Sequence, residues 1–159
     1  MDSANNEPKG IRGWLILPAL GLIFTPIQMG VQFSKDLMPA LTAATWNALT
    51  KPESPAYHPL WGPLISFEVV TNVVLFVFTL WLMWLFFTKS KRVPTLFIAW
   101  LLSLAAVQTI DYVLVAQIPA AAAQPSDSEG MKDLARSIIA AAIWIPYFIR
   151  SKRVKNTFI

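Results

Sequence analysis

Three ionisable residues stand inside long apolar runs, and any chemistry in this chain has to involve them. Glu68 is the only charge between Pro63 and Phe87, and Asp111 the only one between Pro94 and Ile118. Arg136 lies near the start of an apolar stretch from Leu134 to Ile149. A charge at the centre of a membrane helix costs about 2.5–3.5 kcal/mol on insertion scales, so each needs a partner or a function. Glu68 and Asp111, counted from their nearest span ends, and Arg136, counted up from Arg150 through a core of about 30 Å, all fall roughly 7–10 Å below one membrane surface. Asn72 follows Glu68 by four residues and Gln108 precedes Asp111 by three, so each pair shares a helix face. Thr79 extends the first stripe, and Gln28 falls near the same depth. The spacing predicts one polar network of Glu68, Asn72, Gln108, Asp111 and Arg136, with Arg136 meeting both carboxylates inside a bundle. Two readings stay open for it: a structural cluster that sets helix rotation and register, or a proton, ion or ligand site.

Other chemistry is poorly supplied. The chain has no cysteine and one histidine, His58, which excludes disulfides, thiolate nucleophiles and histidine-rich metal sites. No serine, histidine and acid can be assembled at one depth, and there is no glycine-rich phosphate loop. No catalytic residue, metal or cofactor is expected. His58 sits beside Tyr57 and Trp61, where an interfacial role is expected.

The elements that must position these residues are membrane helices. Of 159 residues, 55% are apolar and 14% charged, against about 25% charged in an ordinary soluble domain. Four spans are predicted, about 13–33, 63–87, 94–118 and 134–149, forming one all-α transmembrane bundle between an N-terminal tail (1–12) and a basic tail (150–159). The first uncharged run is longer than a signal peptide's apolar core, so a retained helix is expected. Ser34, Lys35 and Asp36 end it. The loop that follows is rich in proline, and Leu37, Leu41, Leu49 and Trp46 suggest a short interfacial helix. The loop from Pro119 to Asp133 carries Pro125 and Gly130 as breakers. Pro18 and Pro26 interrupt the first span and Pro146 the fourth.

Four spans put both termini on one side. That side carries Lys9, Arg12, Lys89, Lys91, Arg92, Arg150, Lys152, Arg153 and Lys155; the other carries Lys35, Lys51, Lys132 and Arg136. Nine against four places both ends in the cytoplasm. The groups Lys89, Lys91, Arg92 and Arg150, Lys152, Arg153, Lys155 are expected to contact anionic lipid head groups, at about 1 kcal/mol per charge. They form no continuous face, which argues against nucleic acid.

The run Gly13-Trp14-Leu15-Ile16-Leu17-Pro18-Ala19, Phe67-Glu68 with Asn72, Phe86-Phe87 before Lys91-Arg92 and Pro94, and Asp111 form a recognisable series. It ends in Ile143-Trp144-Ile145-Pro146-Tyr147-Phe148, followed by Ser151-Lys152-Arg153-Val154-Lys155 and Thr157-Phe158. Over almost its whole length the chain resembles the bacterial membrane-protein family catalogued as domain of unknown function 2569. The resemblance implies a four-span bacterial inner membrane protein and brings no activity with it. The expected function is that of a non-enzymatic accessory or interaction subunit in a larger membrane assembly, or of its own kind. The alternative is a small transporter or lipid-handling protein that uses the Glu68, Asp111 and Arg136 layer.

Overall fold

A computed structural model describes residues 9–122 and 127–159. Within them the chain is all-helical, with no strand. Helix α1 spans Gly13–Ala40, α2 Ala43–Thr50, α3 Trp61–Phe87, α4 Val93–Ala116, α5 Pro119–Ala122, α6 Asp127–Arg150 and α7 Lys152–Thr157. Three helices, α1, α3 and α4, are long and apolar enough to cross a membrane. The second and third predicted spans match α3 and α4 to within two residues.

Helix α1 corrects the predicted boundary at residue 33. It opens with a tight turn at Gly13–Leu15 and runs as an α-helix over Ile16–Gln32. Instead of stopping at Ser34-Lys35-Asp36 it passes through a wide π turn, Phe33–Leu37, and ends with Met38–Ala40. Pro39 cannot donate a backbone hydrogen bond and its ring crowds the carbonyl four residues before it, so a normal turn cannot continue there. The widened turn lies directly upstream. Polarity alone does not stop a helix whose hydroxyls bond to its own carbonyls: Ser34 donates to Gly30 at 2.8 Å and Thr25 to Gly21 at 2.8 Å. Pro26 stands inside the helix, whereas Pro18 lies in its first α turn, where a missing N–H is tolerated.

A short helix does follow, but it is Ala43–Thr50, and Leu37 and Leu41 lie outside it. Thr42 caps it by accepting from the Thr45 N–H. His58 has a capping role: its Nδ1 accepts from the Leu60 N–H at 3.3 Å and its carbonyl from the Trp61 N–H at 3.1 Å, where α3 begins. Helix α3 ends in a Schellman arrangement, with Ser90 N–H to Leu85 at 3.0 Å and Lys89 N–H to Phe86 at 3.1 Å. Lys89 holds the left-handed position there, φ 56°, which glycine usually fills.

The other end of the chain departs further from expectation. Helix α6 begins at Asp127, seven residues before the predicted start, and Gly130 sits inside it and breaks nothing. Pro125, expected to break the preceding loop, lies outside the described residues, as does the N-terminal tail up to residue 8. The segment 150–159 is a docked element, not a free tail. Ser151 caps α7, Val154 and Phe158 are buried, and Phe158 packs on Phe86 at 5.1 Å. The Thr157 hydroxyl donates to the Gly10 carbonyl at 3.4 Å.

The packing runs α1 on α3, α3 on α4, and α4 on α6. The main core lies toward the end that holds both termini. It joins Leu15 and Leu22 of α1, Leu82 and Phe86 of α3, Phe97 and Trp100 of α4, Phe148 of α6, and Val154 and Phe158. Phe97 and Phe148 stack at 4.1 Å and 8°. Inside this core the Trp100 indole N–H donates to the Thr79 hydroxyl at 2.9 Å, which itself donates to the Leu75 carbonyl at 2.7 Å. At the opposite end a smaller cluster of Leu64, Ile118 and Ala121 is buried, with Leu37 and Ile65 also covered.

Thr79→Val should strand the Trp100 N–H in an apolar core and cost about 1 kcal/mol. Trp100→Phe should cost less through hydrogen bonding, because Thr79 keeps its bond to Leu75. Thermal unfolding of the two proteins in one detergent gives the order; equal midpoints for wild type and Thr79→Val would contradict it.

Candidate functional site

Dense packing at one end and sparse packing at the other leave a cleft of about 770 Å³ among α1, α3, α4 and α6. That volume is within the range of small-molecule sites, about 300–1,000 Å³. Helices α1 and α6 flank the cleft without a packed interface between them, so the bundle is open along that edge.

The lining is graded. Toward the terminal end it is apolar: Leu17 and Pro18 of α1, Phe97, Trp100 and Leu101 of α4, and Ala140 and Trp144 of α6. Toward the other end polar groups join the aliphatic ones: Thr25, Gln28 and Gln32 of α1 alternate with Ile27, Met29 and Val31, Gln108 of α4 follows Val107, and Asn72 of α3 and Asp133, Arg136 and Ser137 of α6 complete the wall. From Leu17 to Gln32 the cleft follows α1 for roughly 22 Å at 1.5 Å per residue.

The predicted network divides in two. Asn72, Gln108 and Arg136 line the cleft. Glu68 and Asp111 do not; they lie close to each other across the α3–α4 contact, with Asp36 of the π turn close enough to act on Glu68 electrostatically. The expected pairing of Arg136 with both carboxylates is therefore corrected. Its guanidinium bonds Asp133 on its own helix at 2.8 Å, and the side chain is 76% exposed. The reason is local: three residues along a helix is within reach without crossing the bundle. Asn72 is also bonded locally, donating to the Glu68 backbone carbonyl at 2.9 Å. One Asp111 oxygen is fully covered and has no standard donor.

Thr79 faces the α4 contact and not the cleft, so it does not continue the Asn72 stripe. Thr25, Gln32, Asp133, Ser137 and Trp144 were not assigned to the polar layer. Asp133 and Arg136 could have been found by their spacing of three. Trp144 had no signal beyond its place in the Ile143–Phe148 segment.

The expected lipid-contact residues gather at the terminal end, around the α3–α4 turn and α7. Lys89, Lys91, Arg92, Arg150, Lys152 and Lys155 are exposed. Arg153 is half-buried, with its guanidinium 3.8 Å from where a side chain on Gly13 would begin, and Gly13 holds φ +59°.

Fold and cleft together define a small all-helical membrane protein with an internal, graded cavity. The chain belongs to the family described as protein of unknown function (DUF2569), whose model matches residues 8–159. It is similar to the inner membrane protein YdgK of Escherichia coli (strain K12), at 30% identity over 152 residues, covering 96% of this chain and 95% of that protein. No solved structure matches it.

Glu68→Gln should preserve the α3–α4 contact, because an amide N–H can donate to the Asp111 carboxyl. Its unfolding temperature in detergent should stay near that of the wild type. Glu68→Leu should unfold earlier and accumulate to a lower level, since it leaves Asp111 covered and alone. A Leu variant as stable as the wild type would show that the pair contributes nothing.

Proposed function

We propose that this protein is a non-enzymatic inner membrane protein that holds one amphiphilic, lipid-class molecule in the cleft between α1 and α6. The observation that carries this reading is the grading of a single cavity from aromatic and aliphatic side chains to carboxamides and an ion pair. Apolar walls with a few convergent polar groups at one end suit a ligand that has both a tail and a head. The open edge offers such a molecule lateral entry from the bilayer. An accessory-subunit role has no feature of comparable specificity: the exposed apolar face of α3, with Val73, Val77 and Trp81, serves lipid contact as well as it would serve a partner.

In the same reading α6 is a fourth crossing. Its 24 residues reach roughly 36 Å, and its charges Asp133 and Arg136 line the cleft, where membrane charges are tolerated. The basic residues at the terminal end then put both termini in the cytoplasm, against anionic head groups. Reporter fusions test this directly: fusions at residue 159 and within 51–59 should report opposite sides, with the C-terminus inside. A C-terminus outside would reject the topology.

Gly21 lines the cleft, and a side chain there meets nothing within 4 Å. Gly21→Phe should fill the cleft without disturbing the fold. In native mass spectrometry from mild detergent, the wild type should retain one lipid and Gly21→Phe none, at matched unfolding temperatures. Equal retention by both would end the cleft reading.

A further inference from the structure

The polar end of the cleft carries both signs of charge side by side and no net charge. Asp133 and Arg136 project from α6 one turn apart, bonded to each other at 2.8 Å. The guanidinium has five N–H donors, and this bond uses one nitrogen of the three. Both residues line the cavity, and the Arg136 side chain is open over most of its surface. Facing them from α1 and α4 are Gln28, Gln32 and Gln108, which make no side-chain hydrogen bond among the described residues. A carboxamide presents donor and acceptor without charge, and in a membrane setting an unpartnered one is costly. The cleft thus holds an excess of neutral hydrogen-bonding groups around one charge pair.

We propose, building on the cleft reading above, that the bound amphiphile is a zwitterionic phospholipid whose phosphodiester sits on Arg136 and whose ammonium sits on Asp133. Charge complementarity selects it. A guanidinium fits phosphate oxygens in a fork, and an adjacent carboxylate both accepts from an ammonium and repels an anionic or phosphate-rich head. An anionic lipid satisfies Arg136 but leaves Asp133 facing negative charge. The carboxamides complete the shell around the ester and phosphate oxygens. The acyl chain follows the apolar walls past Trp100 and Trp144.

The test is competition in native mass spectrometry, using the full chain in mild detergent with equimolar phosphatidylethanolamine and phosphatidylglycerol of matched chains. The wild type should retain phosphatidylethanolamine in preference, by about tenfold, the equivalent of one charged contact. Asp133→Asn removes the negative member of an exposed pair that adds little to folding, and it should reverse the preference toward phosphatidylglycerol. Arg136→Gln should weaken retention of both lipids. If the wild type holds either lipid without preference, or Asp133→Asn leaves the ratio unchanged, the headgroup assignment is overturned while the cleft reading stands. If no lipid is retained, or Gly21→Phe retains it equally, the cleft reading falls as well.

Discussion

The rotation of α4 about its own axis is the constraint from which the rest follows. One hydrogen bond, Trp100 to Thr79, and the approach of Asp111 to Glu68 tie it to α3. On each helix the two linking residues are eleven apart, which is three turns, so the links stack along one antiparallel seam. With that seam set, Phe97 comes round to stack on Phe148 of α6, and Gln108 lines the cleft. A threonine and a tryptophan in an apolar core are costly to leave unpaired, which is why so small a contact can hold a helix in one orientation.

The cleft is a consequence of uneven packing. Large side chains fill the terminal end, where α7 and Phe158 close the bundle from below. At the far end glutamines, an asparagine, a serine and a charge pair stand among the aliphatic lining residues, and they do not interdigitate as leucine and phenylalanine do. Helices α1 and α6 consequently stand apart where the polar residues are. The feature that makes the cavity is the same one that makes it chemically selective, because polar side chains that cannot pack together are available to something else.

Much of the architecture could be read before any coordinates. The positions of α3 and α4, the existence of a fourth helix, the helix in the first loop and the concentration of polar residues at one level all follow from hydropathy and charge. Each depends on a window of residues and a known rise per residue. The errors came where one residue's backbone chemistry outweighed composition. Ser34, Lys35 and Asp36 look like a stop, but self-bonded hydroxyls and a π turn carry α1 onward to Ala40. Gly130 looks like a breaker and lies within α6.

The sequence by itself determined which residues are polar in an apolar setting, how far apart they lie along each helix, and that the chain belongs in lipid. These are one-dimensional properties, set by local side-chain chemistry and a constant helical pitch. Only the tertiary structure decided which carboxylates and which cation face each other. Arg136 was assigned by depth to Glu68 and Asp111, but depth does not fix azimuth. The azimuth of each helix comes from long-range packing between segments far apart in the chain. That packing joined Glu68 to Asp111, left Arg136 beside Asp133, and opened the space between α1 and α6 that no stretch of sequence encodes alone.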